Sequence, residues 1–258
     1  MSLAQTIILG AIAGFTIYLG LPAGRIKGMS DKLRSFLSMS STGILLFLFF
    51  DIFRQLAQPI ETDLTARNYP QFAILLGIFV LGFGGGLLGL IVFEQRFIKM
   101  PAMAGKVSMP VRLSLMIAVG IGLHNFSEGL AIGQSAARGE IGFAILLIVG
   151  FGLHNATEGF GIIGPLVGQQ LPSWKYLGLV GLIGGGPTFL GTLVGSFFVS
   201  DAMSVLFLAL AAGALIYILG ELFHLTRTPG TRLQAGWGIL AGFLFAFLTD
   251  LILTFAGV

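Results

Sequence analysis

The sequence predicts an all-α polytopic membrane protein of eight transmembrane helices. Three observations carry this. Apolar residues make up 55% of the 258 and charged residues only 10%, where a soluble domain carries about 25% charged. Apolar stretches long enough to cross a bilayer, roughly 20 residues each, recur along the whole chain. The connections between them are short, and neither a soluble domain nor a low-complexity tract interrupts them.

The spans cover approximately residues 4–22, 34–57, 71–94, 110–135, 141–167, 174–199, 202–224 and 233–256 of one transmembrane domain, 1–258. The N-terminus lacks a basic segment and a small-residue cleavage site. Residues 4–21 therefore read as a retained first helix and not a signal peptide. The absence of cysteine excludes disulfides and thiolate metal sites. A net charge of +3 is no nucleic-acid signal, because the basic residues lie in short loops beside apolar spans.

Lysine and arginine in those loops set the orientation. Arg25, Lys27, Lys32 and Arg34 follow the first span; Arg96, Lys99, Lys106 and Arg112 follow the third. Lys175 follows the fifth, and Arg227 and Arg232 the seventh. The opposite side has only Arg54, Arg67 and Arg138. The basic side is expected to be cytoplasmic, so both termini fall outside, on the outer face of the cell membrane.

Glycine recurs at small-xxx-small spacing in Gly10/Gly14, Gly82/Gly86, Gly85/Gly89, Gly191/Gly195 and Gly238/Gly242. Such pairs let helix backbones approach closely in lipid. Gly184-Gly185-Gly186-Pro187 in span six lacks side chains and one backbone donor. It predicts a kink or local unwinding, which either serves packing or brings backbone carbonyls toward a site.

One octapeptide occurs twice, as Gly122-Leu-His124-Asn125-Phe-Ser127-Glu128-Gly129 and Gly152-Leu-His154-Asn155-Ala-Thr157-Glu158-Gly159. Each copy sits inside a long apolar stretch. Positions i, i+1 and i+4 share a helix face, so His124, Asn125 and Glu128 project together, as do His154, Asn155 and Glu158. An acidic residue at the centre of a transmembrane helix costs about 2.5–3.5 kcal/mol on insertion scales. Interhelical hydrogen bonding would explain one such triad; two matching triads point to a metal site. Imidazole suits first-row divalent ions, and carboxylate and amide oxygens add hard donors. Mixed N/O ligation without thiolate suits a site that binds and then releases, whereas structural zinc sites are usually closed and often use Cys. Two carboxylates also offset the charge of one divalent ion. Straight antiparallel helices joined at Arg138–Glu140 would leave the two motifs about 9 Å apart in depth. A tilt, an asymmetric loop or an unwound segment is needed to absorb that.

Four further residues are candidates for an access or release path. Asp51, in span two, is either a helix-end carboxylate paired with Arg54 or part of an acidic mouth with Glu61 and Asp63 in the following loop. Glu221 and His224 stand at i and i+3 at the basic end of span seven, where His224 could instead complement the helix C-terminus. Gln134 lies beyond Glu128 on span four and is expected to line the same path.

With these residues in place, the sequence resembles the ZIP (Zrt/Irt-like) divalent-metal transporters, especially their compact prokaryotic branch. His124-Asn125-x-x-Glu128-Gly129 and His154-Asn155-x-x-Glu158-Gly159 are similar to the motifs of that family's fourth and fifth spans. Ala211-Ala212-Gly213-Ala214-Leu215-Ile216-Tyr217-x-x-x-Glu221 is similar to its seventh. The resemblance implies an eight-helix bundle in a 3+2+3 arrangement, with spans 1–3 and 6–8 related as inverted repeats. It implies alternating-access movement of Zn²⁺, or of Fe²⁺, Mn²⁺ or Cd²⁺, toward the cytoplasm. His124, Glu128, His154 and Glu158 match the primary site; Asn125 and Asn155 match the neighbouring one. The metal is cargo and no other cofactor is implied. The partners are the ions and the lipid bilayer, with a homodimer left open.

The chain departs from the family where Ser127 and Thr157 replace motif prolines, where Asn155 stands for an acid, and where Gly186-Pro187 stands for a Glu-Pro pair. One strong ion site, with a weaker or absent second, is the expectation. Two other classes compete. An intramembrane metalloprotease would need His-Glu-x-x-His, which is absent, and carboxylates are too few for a di-iron enzyme. A metal-independent carrier would use the triads only as helix glue.

Overall fold

The computed structural model describes residues 2–98, 108–139, 141–169, 171–197, 200–225 and 231–256. The loop residues Lys99, Lys106 and Arg227 lie outside them. The described chain is helical: α1 Leu3–Phe15, α2 Asp31–Thr65, α3 Tyr69–Phe93, α4 Met109–Ala137, α5 Ile141–Ile163, α6 Trp174–Gly195, α7 Asp201–Leu225 and α8 Arg232–Ala256. Among the described residues seven helical segments, the first being α1 with its continuation to Arg25, are long and apolar enough to cross a membrane. α5, with 23 residues, carries the second octapeptide. Serines start several helices. Ser2 forms a capping box with Gln5, and Ser30 and Ser173 accept from the amides of Leu33 and Tyr176, satisfying donors that the first turn leaves open.

Four expectations are corrected. The first span is not one helix: α1 gives way to two 3-10 turns, Thr16–Leu19 and Leu21–Arg25, where Pro22 supplies no backbone donor. Second, α2 runs to Thr65 through Pro59, so Asp51 lies well inside a helix and Glu61 and Asp63 are helical rather than in a loop. Hydropathy falls after Leu56, but nothing in that stretch stops the helix until Arg67, which takes a left-handed φ of 58°. Third, α6 stays helical through Gly184–Pro187 without unwinding; Gly184 and Gly185 pack against Ile17 and Gly14, and the Gly184 carbonyl also reaches the site by accepting from Asn125. Fourth, Gly85 meets only the tip of the Leu210 side chain at 3.5 Å, and Gly89 faces open space, so that pair brings no backbones together.

The other glycine pairs do. A Cβ on Gly14 would lie 2.3 Å from the Gly185 carbonyl oxygen, one on Gly86 2.0 Å from that of Leu210, and one on Gly242 1.9 Å from that of Ser40. These contacts sort the helices into two sets. In one, α1, α4, α5 and α6 pack on one another; in the other, α2, α3, α7 and α8 do. The sets meet along α4–α7, α2–α5 and α5–α8. The strongest pairs recur when helices 1, 2, 3 and 4 are exchanged with 6, 7, 8 and 5: α4–α6 with α1–α5, and α2–α8 with α3–α7. α4 is the most enclosed helix, whereas α3 and α8 leave most of their surface open. The central core includes Ile17, Leu48, Ile52, Met116, Ile121, Ile162 and Leu215, and it surrounds the two octapeptides.

Candidate metal centre

α4 and α5 are continuous through their motifs, so each triad keeps one helical face. Both faces turn inward: His124, Asn125, Glu128, Asn155 and Glu158 are all at most 3% exposed. The side chain of His154 lies outside the described residues.

Two contacts join the helices, beside one within α4. His124 Nε2 lies 3.3 Å from Glu128 Oε1 and 3.9 Å from Glu158 Oε1. Asn155 Nδ2 donates to Glu128 Oε2 at 3.3 Å. His124 thus meets Glu158 while Glu128 meets Asn155, so the motifs pass each other antiparallel at one level. The depth offset expected for straight helices is absent. Neither helix unwinds to bring the motifs together.

The asparagines serve packing as well as the site. Asn155 Nδ2 also donates to the Ala13 carbonyl of α1 at 3.2 Å, and Asn125 Nδ2 donates to the Gly184 carbonyl of α6 at 3.0 Å. Both leave a buried Oδ1 without a hydrogen-bond partner. Such an atom is costly in a low-dielectric interior and is a donor available to a cation. Glycine makes the close approach work. A Cβ on Gly122 would lie 2.4 Å from the Ile183 carbonyl, and one on Gly129 2.2 Å from that of Thr188. Pro187 has no N–H to bond the Ile183 carbonyl within the helix, and that oxygen faces Gly122 instead.

The centre therefore combines one imidazole, two carboxylates and two amide oxygens on adjoining helices. Among the described residues no group of three or more His, Cys, Asp or Glu is placed so that it could hold a metal ion as it stands: Nε2 of His124 lies against Glu128 itself. A cation would replace this mutual pairing, and the donor types suit a divalent transition metal.

The path residues divide. Asp51 binds Arg54 at 3.1 Å and Gln55 at 2.6 Å. The predicted pairing with Arg54 is thus present. Gln134 is buried with Nε2 unpartnered, two turns beyond the centre on α4. Glu221 is not at the centre; its carboxylate is 3.7 Å from Arg112 on α4. The side chain of His224 lies outside the described residues.

Three features escaped the sequence reading. Thr188 adds a buried, unpartnered hydroxyl beside Gly129 and Gly14, so α6 offers more than glycine and proline. Glu94, 2% exposed, pairs with Arg112 at 2.9 Å, and the Tyr217 hydroxyl donates to its second oxygen. A carboxylate directly after an apolar span was the only signal for Glu94, and it reads equally as an interfacial charge. The five residues Glu94–Ile98 form a π-helical end to α3, a distortion frequent at functional positions.

A family model described as ZIP Zinc transporter matches residues 101–250, from the approach to α4 into the last turns of α8. Among curated proteins no relative matches.

Proposed function

This chain belongs to the ZIP zinc transporter family, a family that moves divalent metal ions across membranes, and from that premise we propose a substrate, a direction and a mechanism. The substrate is Zn²⁺ foremost, with Fe²⁺, Mn²⁺ and Cd²⁺ as related cargo, carried into the cytoplasm. The single observation that carries the reading is the convergence of His124, Glu128, Asn155 and Glu158 from two helices at one buried level. One divalent ion is balanced by the two glutamates, which makes its passage through low dielectric tolerable. His154 and the free Oδ1 atoms of Asn125 and Asn155 complete the proposed ligand set. Asp51 and Gln134 line the outer approach; Glu221 and His224 lie toward release.

The mechanism is alternating access by movement of one helix set against the other. The packing supports it. Within each set glycine seats backbone on backbone, which fixes the helices as a body. Between sets Gly120 of α4 meets only side chains of α7, with Ile218 Cδ1 at 3.1 Å. Side-chain surfaces can re-pack in small steps, whereas interlocked backbones cannot. The recurrence of helix pairs on exchange of the two halves supports the inverted-repeat reading. The basic loops support a cell-membrane orientation with both termini outside.

Uptake of radioactive zinc into proteoliposomes tests the assignment, with the related ions as competitors. His124→Ala and Glu158→Ala should each abolish uptake; unimpaired uptake in the double variant would sink the assignment. A second reading, that the triads only glue helices, is favoured for the asparagines by their bonds to the Ala13 and Gly184 carbonyls. A protein whose thermal stability ignores added Zn²⁺ would support it.

A further inference from the structure

A basic pocket, separate from the metal centre, forms where the segment joining α1 to α2 meets the segment joining α5 to α6. Arg25 ties the two segments together: it donates to the Pro172 carbonyl and lies 4.7 Å from the centre of the Trp174 ring. The cavity has a volume of about 260 Å³, and its walls include Ile26, Lys27 and Arg34 from the first segment and the start of α2, with Gly168 and Leu171 from the second. No acidic residue lines it. Arg34 fits there because Gly168 has no side chain. A Cβ on Gly168 would lie 2.8 Å from Arg34 Nε, and this glycine takes a left-handed φ of 69°. The Arg34 guanidinium is only partly used. Its Nη1 lies 3.2 Å from Asp31, whose side chain is 82% exposed. Its Nε is buried without a hydrogen-bond partner. An enclosed, charged donor that lacks an acceptor is costly.

We propose that this pocket holds the phosphate of an anionic membrane phospholipid, whose glycerol end covers Ile26 and Leu171. Three observations support it. Lys27 and Arg34 place two cations on one cavity. A guanidinium matches phosphate oxygens in geometry and charge, and Arg34 Nε is the donor still to be filled. Next, Ile26 and Leu171 line the same pocket yet are 49% and 45% exposed, and Trp174 at the start of α6 is 64% exposed. A free phosphate would leave these apolar side chains in water. A lipid covers them, and indole is favoured at the membrane–water interface. Finally, the pocket lies where four apolar spans end, which is the level of lipid headgroups. Basic pockets between transmembrane helices at that level take anionic headgroups. Arg34 belongs to one helix set and the segment after α5 to the other, so a single headgroup would touch both. The inference requires that the chain spans a membrane, and it is independent of which metal is carried.

Native mass spectrometry of the intact protein in a neutral detergent reads the binding. Phosphatidylglycerol is titrated as the probe, with phosphatidylcholine and inorganic phosphate beside it. The first phosphatidylglycerol should bind at least tenfold more tightly than phosphatidylcholine, and an equal concentration of inorganic phosphate should leave it in place. Arg34→Gln and Lys27→Gln should each weaken it at least tenfold. Lys32→Gln removes the same charge from an exposed position in the first turn of α2, outside the pocket, and should stay within threefold. If Arg34→Gln fails to fold, Lys27→Gln, a change to an exposed side chain, carries the same criterion. Equal losses in all three variants would mean diffuse attraction to the basic loops and overturn the site. Displacement of the lipid by inorganic phosphate would overturn the lipid as occupant in favour of a soluble phosphate. Binding that is unchanged in both Arg34→Gln and Lys27→Gln would overturn the pocket altogether.

Discussion

Replacing Gly129 by alanine tests whether the packing of α4 on α6 sets the shape of the metal centre. The added Cβ would lie 2.2 Å from the Thr188 carbonyl oxygen and 2.7 Å from the Thr192 nitrogen. A carbon–oxygen contact of this kind normally settles at about 3.3 Å, so the site is roughly 1.1 Å too tight. Both obstacles are backbone in a continuous helix, and no rotamer change relieves them. α6 must move away from α4, and overpacking of this kind costs about 1–3 kcal/mol. Glu128 is the neighbouring residue, so the displacement reaches the metal ligands. Gly178, near the start of α6, is the control, because a Cβ there meets nothing within 4 Å. Alanine at that position should be neutral or stabilising by up to about 1 kcal/mol through helix propensity. Thermal unfolding of both variants in one detergent, with zinc uptake alongside, measures the contrast. The expectation is a lower transition temperature and reduced uptake for Gly129→Ala, and neither for Gly178→Ala. Equal stability of the two variants would refute the argument from close approach.

Two further outcomes follow from the same contacts. Zinc at about one hundred times its dissociation constant should stabilise the protein by about 2.7 kcal/mol; Glu158→Gln should remove most of that gain, and differential thermal melts with and without metal check it. Arg25 donates to the Pro172 carbonyl and lies 4.7 Å from the centre of the Trp174 ring. Arg25→Ala should therefore cost about 1–3 kcal/mol without changing relative uptake of zinc and cadmium, as melts and a competition assay would show.

The eight apolar stretches, their order and the two polar triads were readable from the residues alone. Each depends on local properties: hydropathy over twenty residues, and a helical face repeating every three to four. The start of α2 was close to readable, but its end was not, because hydropathy stops at Leu56 while helical conformation continues through polar residues to Thr65. The triads were legible as faces but not as contacts. That Asn125 turns to Gly184, and that Asn155 reaches both Ala13 and Glu128, depends on how four helices incline toward one another. The same holds for Arg112. Its arginine was legible only as a loop charge setting topology, and Glu94 only as the end of a span. Their meeting with Glu221 and Tyr217 joins positions more than one hundred residues apart. Hydropathy and helical periodicity set roughly where the spans lie and which face of α4 and α5 carries imidazole and carboxylate. The tertiary structure alone decided which of those groups meet and at what level. The physical reason is that distances between helices are set by side-chain shape, and above all by which glycines let backbones touch; Gly129 does so and Gly89 does not.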